Sequence, residues 1–146
     1  PAKIRLPAAM NQLRGRIVAI ESNDHLSLVD VEVGGDTFSA MLLETPDSAP
    51  YLAIGNEVQL LFKETEVSLA KNLSGLISLR NRVKGRVRAV RSGAILSEVL
   101  LEYRGHTLTS IITTRSIKRL EIRQGDEVEA LIKANEVSLM EVSNDA

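Results

Sequence analysis

The chain has no cysteine and no tryptophan, two histidines, and aromatic residues at only 3% of its 146 positions. Without thiolates there is no cysteine nucleophile, no disulfide framework, no iron–sulfur centre and no thiolate zinc site. His25 and His106 are too few for a multi-histidine metal centre. Neither has a Ser/Asp constellation near it, so each reads as a solvated turn residue and the chain is not expected to be an enzyme. Phe38, Phe62, Tyr51 and Tyr103 are too few to stack a nucleic-acid strand, and a net charge of −1 does not suit a duplex-binding surface. No run approaches the roughly 20 apolar residues of a spanning helix, and no basic-then-apolar signal peptide opens the chain. A cytoplasmic protein with no membrane partner is the expectation.

What is present is ordinary globular composition, 44% hydrophobic and 25% charged, at a length that suits one average domain or two small ones. The charge is uneven. Up to Asn72 there are 6 basic and 10 acidic residues, and after it 12 basic and 9 acidic, so the halves carry −4 and +3. A local positive field can hold a compact anion in a molecule that is neutral overall. Arg82, Arg86, Arg88 and Arg91 read more simply as one solvated strand face.

A single constant offset, the one that brings Asn11 onto Asn81, superposes the chain on itself. Asn11-Gln12-Leu13-Arg14-Gly15-Arg16-Ile17 meets Asn81-Arg82-Val83-Lys84-Gly85-Arg86-Val87, and Gly55-Asn56-Glu57-Val58 meets Gly125-Asp126-Glu127-Val128. Lys63-Glu64-Thr65-Glu66-Val67-Ser68-Leu69 meets Lys133-Ala134-Asn135-Glu136-Val137-Ser138-Leu139. About a third of the aligned positions are identical, so the chain is two copies of one unit, expected at 8–72 and 76–142 and joined near Asn72-Leu73-Ser74-Gly75. Within each copy the apolar pattern has period two, as in Leu28 to Val33, Thr107 to Ile112 and Val128 to Ile132. Thr113 to Leu120 has the spacing of one or two helical turns capped by a threonine. Five short strands and a short helical turn in so few residues predict an all-β fold, two tandem small OB-like five-stranded barrels. Units this small bury little core, so pairing within and between chains is expected.

The second copy gathers hydroxyl and cationic donors: Ser78-Leu79-Arg80-Asn81 before its first strand, Thr113 and Ser116 on the helical turn, Lys133 at the end of its fourth strand. A tetrahedral dianion needs converging donors and no carboxylate nearby. Taken alone, these residues also fit strand caps and solvated tips.

The run Ser78-Leu79-Arg80-Asn81-Arg82-Val83-Lys84-Gly85-Arg86-Val87 closely resembles the Ser-Ala-Arg-Asn-x-x-x-Gly-x-Val signature of the molbindins, also called Mop or TOBE domains. The resemblance continues through Gly105, Thr109-Ser110, Thr113-x-x-Ser116, Gly125 and Lys133-Ala134-Asn135-x-Val137. It implies an OB-like barrel, a homo-oligomer (trimer or dimer), and molybdate or tungstate bound as an oxyanion at interfaces between units. Position by position, it implies oxyanion contacts from Ser78, Leu79, Arg80, Asn81, Lys133 and Ala134 of one unit and from Thr113 and Ser116 of a neighbour. No direct protein–metal ligand is implied. In the first copy Ala8 and Met10 replace Ser78 and Arg80, while Asn11, Gly15 and Lys63 remain. At constant offset Leu43 and Pro46 face Thr113 and Ser116; a two-residue local shift instead pairs Thr45-x-x-Ser48 with Thr113-x-x-Ser116, and Leu52-x-Ile54 with Leu120-x-Ile122. With that shift a composite site would take Thr45 and Ser48 from one unit and Ser78, Arg80 and Lys133 from another, and Thr45, Ser48 and Lys63 are the candidate first-copy set.

A tandem pair resembles stand-alone molybdate-binding proteins, which suggests intracellular molybdenum storage. It also resembles the effector half of molybdate-responsive transcription regulators. The start Pro1-Ala2-Lys3 fits either removal of an initiator Met or excision from a longer protein, and DNA contact could come only through a domain absent from this chain. Single-stranded oligonucleotide is expected to leave the protein's electrophoretic mobility unchanged at any salt concentration. A salt-dependent shift would restore the nucleic-acid reading.

Overall fold

Period-two runs become strands, with apolar members turned inward. The computed structural model describes residues 10–142; the Pro1-Ala2-Lys3 start and Ala8 lie outside them. The strands are β1 (Met10–Ser22), β2 (Ser27–Val33), β3 (Asp36–Leu42), β4 (Glu57–Lys63), β5 (Ser68–Ala70), β6 (Asn81–Ser92), β7 (Leu96–Tyr103), β8 (His106–Thr113), β9 (Glu127–Ile132) and β10 (Ser138–Glu141). One α-helix, α1 (Thr114–Leu120), follows β8, and 3-10 turns at Glu64–Glu66 and Ala134–Glu136 precede β5 and β10. In β4, Val58, Leu60 and Phe62 are buried while the residues between them are exposed or half-buried.

The strands form two five-stranded antiparallel sheets, ordered β10-β4-β1-β2-β3 and β5-β9-β6-β7-β8. The compact units differ from the sequence repeats. Unit 1 comprises 10–11 with Lys63–Ile132, and unit 2 comprises Gln12–Phe62 with 133–142. The fifth strand of each repeat is therefore exchanged. Ser68 and Leu69 of β5 pair with Leu131 and Ala130 of β9, and at the equivalent positions of the second repeat Ser138 and Leu139 of β10 pair with Leu61 and Leu60 of β4. Reciprocal exchange caps the edge that β4 or β9 would otherwise leave unpaired.

In unit 1, β6 pairs through Asn81–Arg86 with β9 and through Arg86–Ser92 with β7. A strand that changes neighbours must coil. The register of β6 on β7 slips between Val87 and Ala89, and that of β1 on β2 between Ile17 and Ala19, the extra residue of a β-bulge in each case. Close approach of strands at the coil requires glycine: a Cβ on Gly15 would lie 2.5 Å from Val31 Cγ1 and 2.6 Å from the Glu32 carbonyl oxygen.

Val83, Val87, Val99, Leu101, Leu108, Val128 and Ile132 fill the core of unit 1, which Val67 completes from the exchanged segment. The Ser110 hydroxyl donates to the Val67 carbonyl at 2.6 Å. The Lys71 ammonium, one residue past β5, donates to the Glu121 carbonyl at 2.7 Å and to Asp126 Oδ2 at 3.0 Å. The Arg123 N–H and Lys71 hold the Asp126 carboxyl below its ordinary range. Arg82 donates through Nε and Nη2 to both carboxylate oxygens of Glu129, which its hydrogen bond likewise holds low. Unit 2 buries Leu13, Ile17, Val29, Val31, Leu60 and a stacked Phe38–Phe62 pair with centroids 6.4 Å apart; Val137 is its counterpart to Val67.

Val67→Ala and Val137→Ala are each expected to cost about 2 kcal/mol in denaturant unfolding, the burial of two methyl-sized groups plus a cavity. An unfolding midpoint indistinguishable from the parent's in either variant would show that the exchanged segments do not complete the cores.

Candidate oxyanion site

The signature segment approaches β6 through an exposed bend. Gly75 has a φ of 86°, and Leu76, Ile77, Ser78 and Arg80 are exposed while Leu79 is half-buried. Among the described residues, the N–H groups of Ser78, Leu79 and Arg80 have no backbone acceptor. Asn81 follows, fully buried as the first residue of β6. Its counterpart Asn11 shows what a buried asparagine does at this position. The Asn11 amide donates to the Thr109 carbonyl and accepts from the Thr109 N–H, both at 2.8 Å, imitating a strand neighbour.

The ladder between β6 and β9 ends at Asn81 opposite Ile132. The register thus sets the start of the signature strand beside the residue that precedes Lys133. Lys133 is the N-cap of the 3-10 turn Ala134–Glu136, with φ −71° and ψ 145°. Its N–H donates to Glu136 Oε1 at 3.1 Å, and its exposed ammonium has no ion pair among the described residues. Ala134 beside it is half-buried. Lys63 repeats the arrangement, donating its N–H to Glu66 Oε1 at 2.8 Å, but its neighbour is Glu64, which is 4% exposed.

Thr113 ends β8 and caps α1. Its Oγ1 accepts from the Ser116 N–H at 3.0 Å and donates to Ser116 Oγ at 2.8 Å, so the two hydroxyls lie together at a helix start. In the first repeat, Ser48 and Ala49 donate their N–H groups to the Thr45 carbonyl at 3.0 and 2.8 Å, one helical turn that Pro50 cannot extend because it lacks an N–H. Ser48 Oγ is bound back into that turn, accepting from the Thr45 N–H at 2.9 Å and donating to the Thr45 carbonyl at 3.2 Å. Burial equates Ala49 and Leu52 with Ile117 and Ile122, all buried, whereas Ile54 is exposed. The two-residue shift therefore closes between Ala49 and Leu52. The pairing of Leu52-x-Ile54 with Leu120-x-Ile122 read from the sequence fails because Pro50 shortens the first repeat's helical turn.

Ser78, Leu79, Arg80, Asn81, Thr113, Ser116 and Lys63 belong to unit 1; Lys133, Ala134, Thr45 and Ser48 belong to unit 2. Among the described residues no hydrogen bond links Thr113 or Ser116 to 78–81. Unit 1 carries 13 basic and 8 acidic described residues and unit 2 carries 3 and 10, net +5 and −7. Over the same described residues the sequence halves carry −6 and +4, so the exchange sharpens their asymmetry by one charge each. A polar hollow of about 430 Å³ in unit 2, lined by Arg14, Tyr51, Glu57 and Glu141, offers a dianion little: Arg14 is already bonded to Glu57 at 2.7 Å. Burial and neighbouring Glu44 push the Tyr51 phenol up to about 12, so it stays protonated, donating to Glu44 at 3.2 Å.

A family model described as the TOBE domain matches residues 7–69 and again 77–139. The molybdenum-pterin-binding protein MopB of Rhodobacter capsulatus is 33% identical over 135 residues, 90% of this chain and 50% of MopB, so the chain spans half the length of that relative. Molybdenum-pterin-binding protein 3 of Clostridium pasteurianum is 43% identical over 65 residues, 44% of this chain and 96% of that protein. A crystal structure of the cytoplasmic molybdate-binding protein ModG, with molybdate bound, matches 95% of this chain and 100% of its own, with 31% identity and a TM-score of 0.86. These relatives are described as binding proteins.

Thr113→Ala removes the cap of α1. A loss of about 1 kcal/mol in unfolding free energy is expected, and an unchanged unfolding curve would show that α1 does not depend on this hydroxyl.

Proposed function

The chain belongs to the TOBE domain family, as two consecutive domains, and from that membership we propose that it binds molybdate or tungstate reversibly, as an intracellular store rather than as an enzyme. The observation that carries the reading is the match to molybdate-bound ModG over 95% of the chain. The donor chemistry supports it. Ser78, Leu79 and Arg80 offer N–H groups without backbone acceptors among the described residues, Thr113 and Ser116 offer hydroxyls at a helix start, and Arg80 and Lys133 offer charge. Asn81, buried, begins the strand that follows the N–H segment, and Lys133 is followed by the uncharged Ala134. The domains are taken as 8–72 and 76–142. The surrounding donors are to be completed by assembly into a homo-oligomer, a trimer or a dimer. A cytoplasmic location accords with ModG, described as cytoplasmic; no helix among the described residues is long and apolar enough to cross a membrane.

Selectivity follows from protonation. Molybdate and tungstate are unprotonated dianions at neutral pH, whereas phosphate largely keeps a proton that requires an acceptor. A site of donors leaves that proton unpaired at a cost of about 1–3 kcal/mol. No reaction is needed: charge and N–H donors stabilise the bound ion, and release follows when its concentration falls.

Titration calorimetry is expected to show heat of binding with molybdate and tungstate and none with phosphate. Arg80→Gln or Lys133→Gln is expected to weaken molybdate ten- to hundred-fold, from the loss of a charged hydrogen bond of about 1.5–3 kcal/mol. Absence of binding heat with both molybdate and tungstate would overturn the proposal.

A further inference from the structure

The two repeats share a backbone but not a charge balance at the positions where the oxyanion reading places its donors. The second repeat supplies two cations, Arg80 and Lys133, to a ligand with two negative charges. At the matching positions the first repeat supplies Met10, 39% exposed at the start of β1, and Lys63, and it adds Glu64, 4% exposed, where the second has Ala134. Glu64 is engaged within the fold, so its carboxyl replaces the small side chain of Ala134 and adds no positive charge for an anion beside Lys63. The hydroxyls diverge in the same direction. Thr113 and Ser116 bond to each other at an exposed helix start, whereas the Ser48 hydroxyl is spent on the backbone of its own turn.

The presence of Lys63 does not count against this contrast. Its φ, ψ and N–H bond to Glu66 are those of the residue entering a 3-10 turn, and Lys133 has the same geometry in the second repeat. The backbone thus explains that residue's conformation in both repeats without a ligand, and only the neighbouring residues separate a donor set from a turn.

We propose that the first-repeat set is silent towards oxyanions and that every molybdate bound by this chain is held through the second-repeat set, with Met10 and Glu64 as the residues that silence the first. The inference rests on the molybdate-binding reading, and its test separates the two. Calorimetry and equilibrium dialysis with molybdate count the ions per chain in the full-length protein. In Arg80→Gln/Lys133→Gln all saturable binding is expected to vanish at concentrations that saturate the parent. In Met10→Arg/Glu64→Ala, which installs the second repeat's residues in the first, the number of ions per chain is expected to rise up to two-fold. Because Glu64 is buried, Met10→Arg/Glu64→Gln serves where the alanine variant fails to give the parent's circular dichroism spectrum. Half of the parent's ions remaining in Arg80→Gln/Lys133→Gln would overturn the inference, as would an unchanged count in a folded Met10→Arg variant. A parent chain that binds no molybdate would overturn the reading beneath it instead.

Discussion

The exchange of one short strand between repeats is the constraint on which the rest depends. β5 on β9 and β10 on β4 are ladders of three and four pairs in registers that recur from one repeat to the next, and each closes a sheet that the other repeat began. A unit of about 65 residues buries a small fraction of its surface and is marginal alone. Exchange makes two marginal cores interdependent, because Val67 and Val137 each fill a core whose other strands come from the opposite repeat. The covalent chain crosses between units at Asn11, at Phe62 and at Ile132. Two of those crossings are immediately followed by a lysine, so Lys63 and Lys133 stand where they do because the chain must turn there to deliver its exchanged strand.

That geometry also determines what the crossing residues can contribute. A lysine at the N-cap of a 3-10 turn has its N–H satisfied by a glutamate three residues on, at 2.8 Å in one repeat and 3.1 Å in the other, which leaves the ammonium to solvent or ligand. The buried asparagines work on the opposite strand end. Asn11 substitutes for a strand neighbour on Thr109, and so fixes the entry of its strand without a further ladder. In the segment before β6 the N–H groups of Ser78, Leu79 and Arg80 have no backbone acceptor among the described residues.

Much of this was legible in the sequence, because the physics involved is local. Alternation of apolar residues in Val128 to Ile132 requires only that one face be buried, and the internal repeat predicts that whatever one half does the other does too. The exchange was not legible, since Ser68-Leu69-Ala70 carries the same alternation whichever sheet receives it. Nor was the buried state of Asn81, because an asparagine before a strand suits a cap, a turn or a ligand contact equally well. The first repeat's helical turn was legible in kind, through Thr45-x-x-Ser48, but not in length: Pro50 stops it, and Leu52 rather than Ile54 then reaches the core.

Charge was legible as an asymmetry and misplaced in extent. Over residues 10–142 the sequence halves carry −6 and +4 and the compact units −7 and +5, because the crossings move Lys63, Lys71, Glu64 and Glu66, net zero, into unit 1 and Lys133, Glu136 and Glu141, net −1, into unit 2. The broad field nevertheless does not select the site. Each lysine has its N–H on a glutamate three residues on, but Lys63, in the positive unit, is followed by buried Glu64 and Lys133, in the negative unit, by Ala134. Screening in physiological salt limits an exposed charge to about 8 Å, so a bound dianion feels its immediate neighbours before it feels a unit. One residue following each lysine, Glu64 or Ala134, therefore weighs more than the net charge of the unit in which that lysine sits.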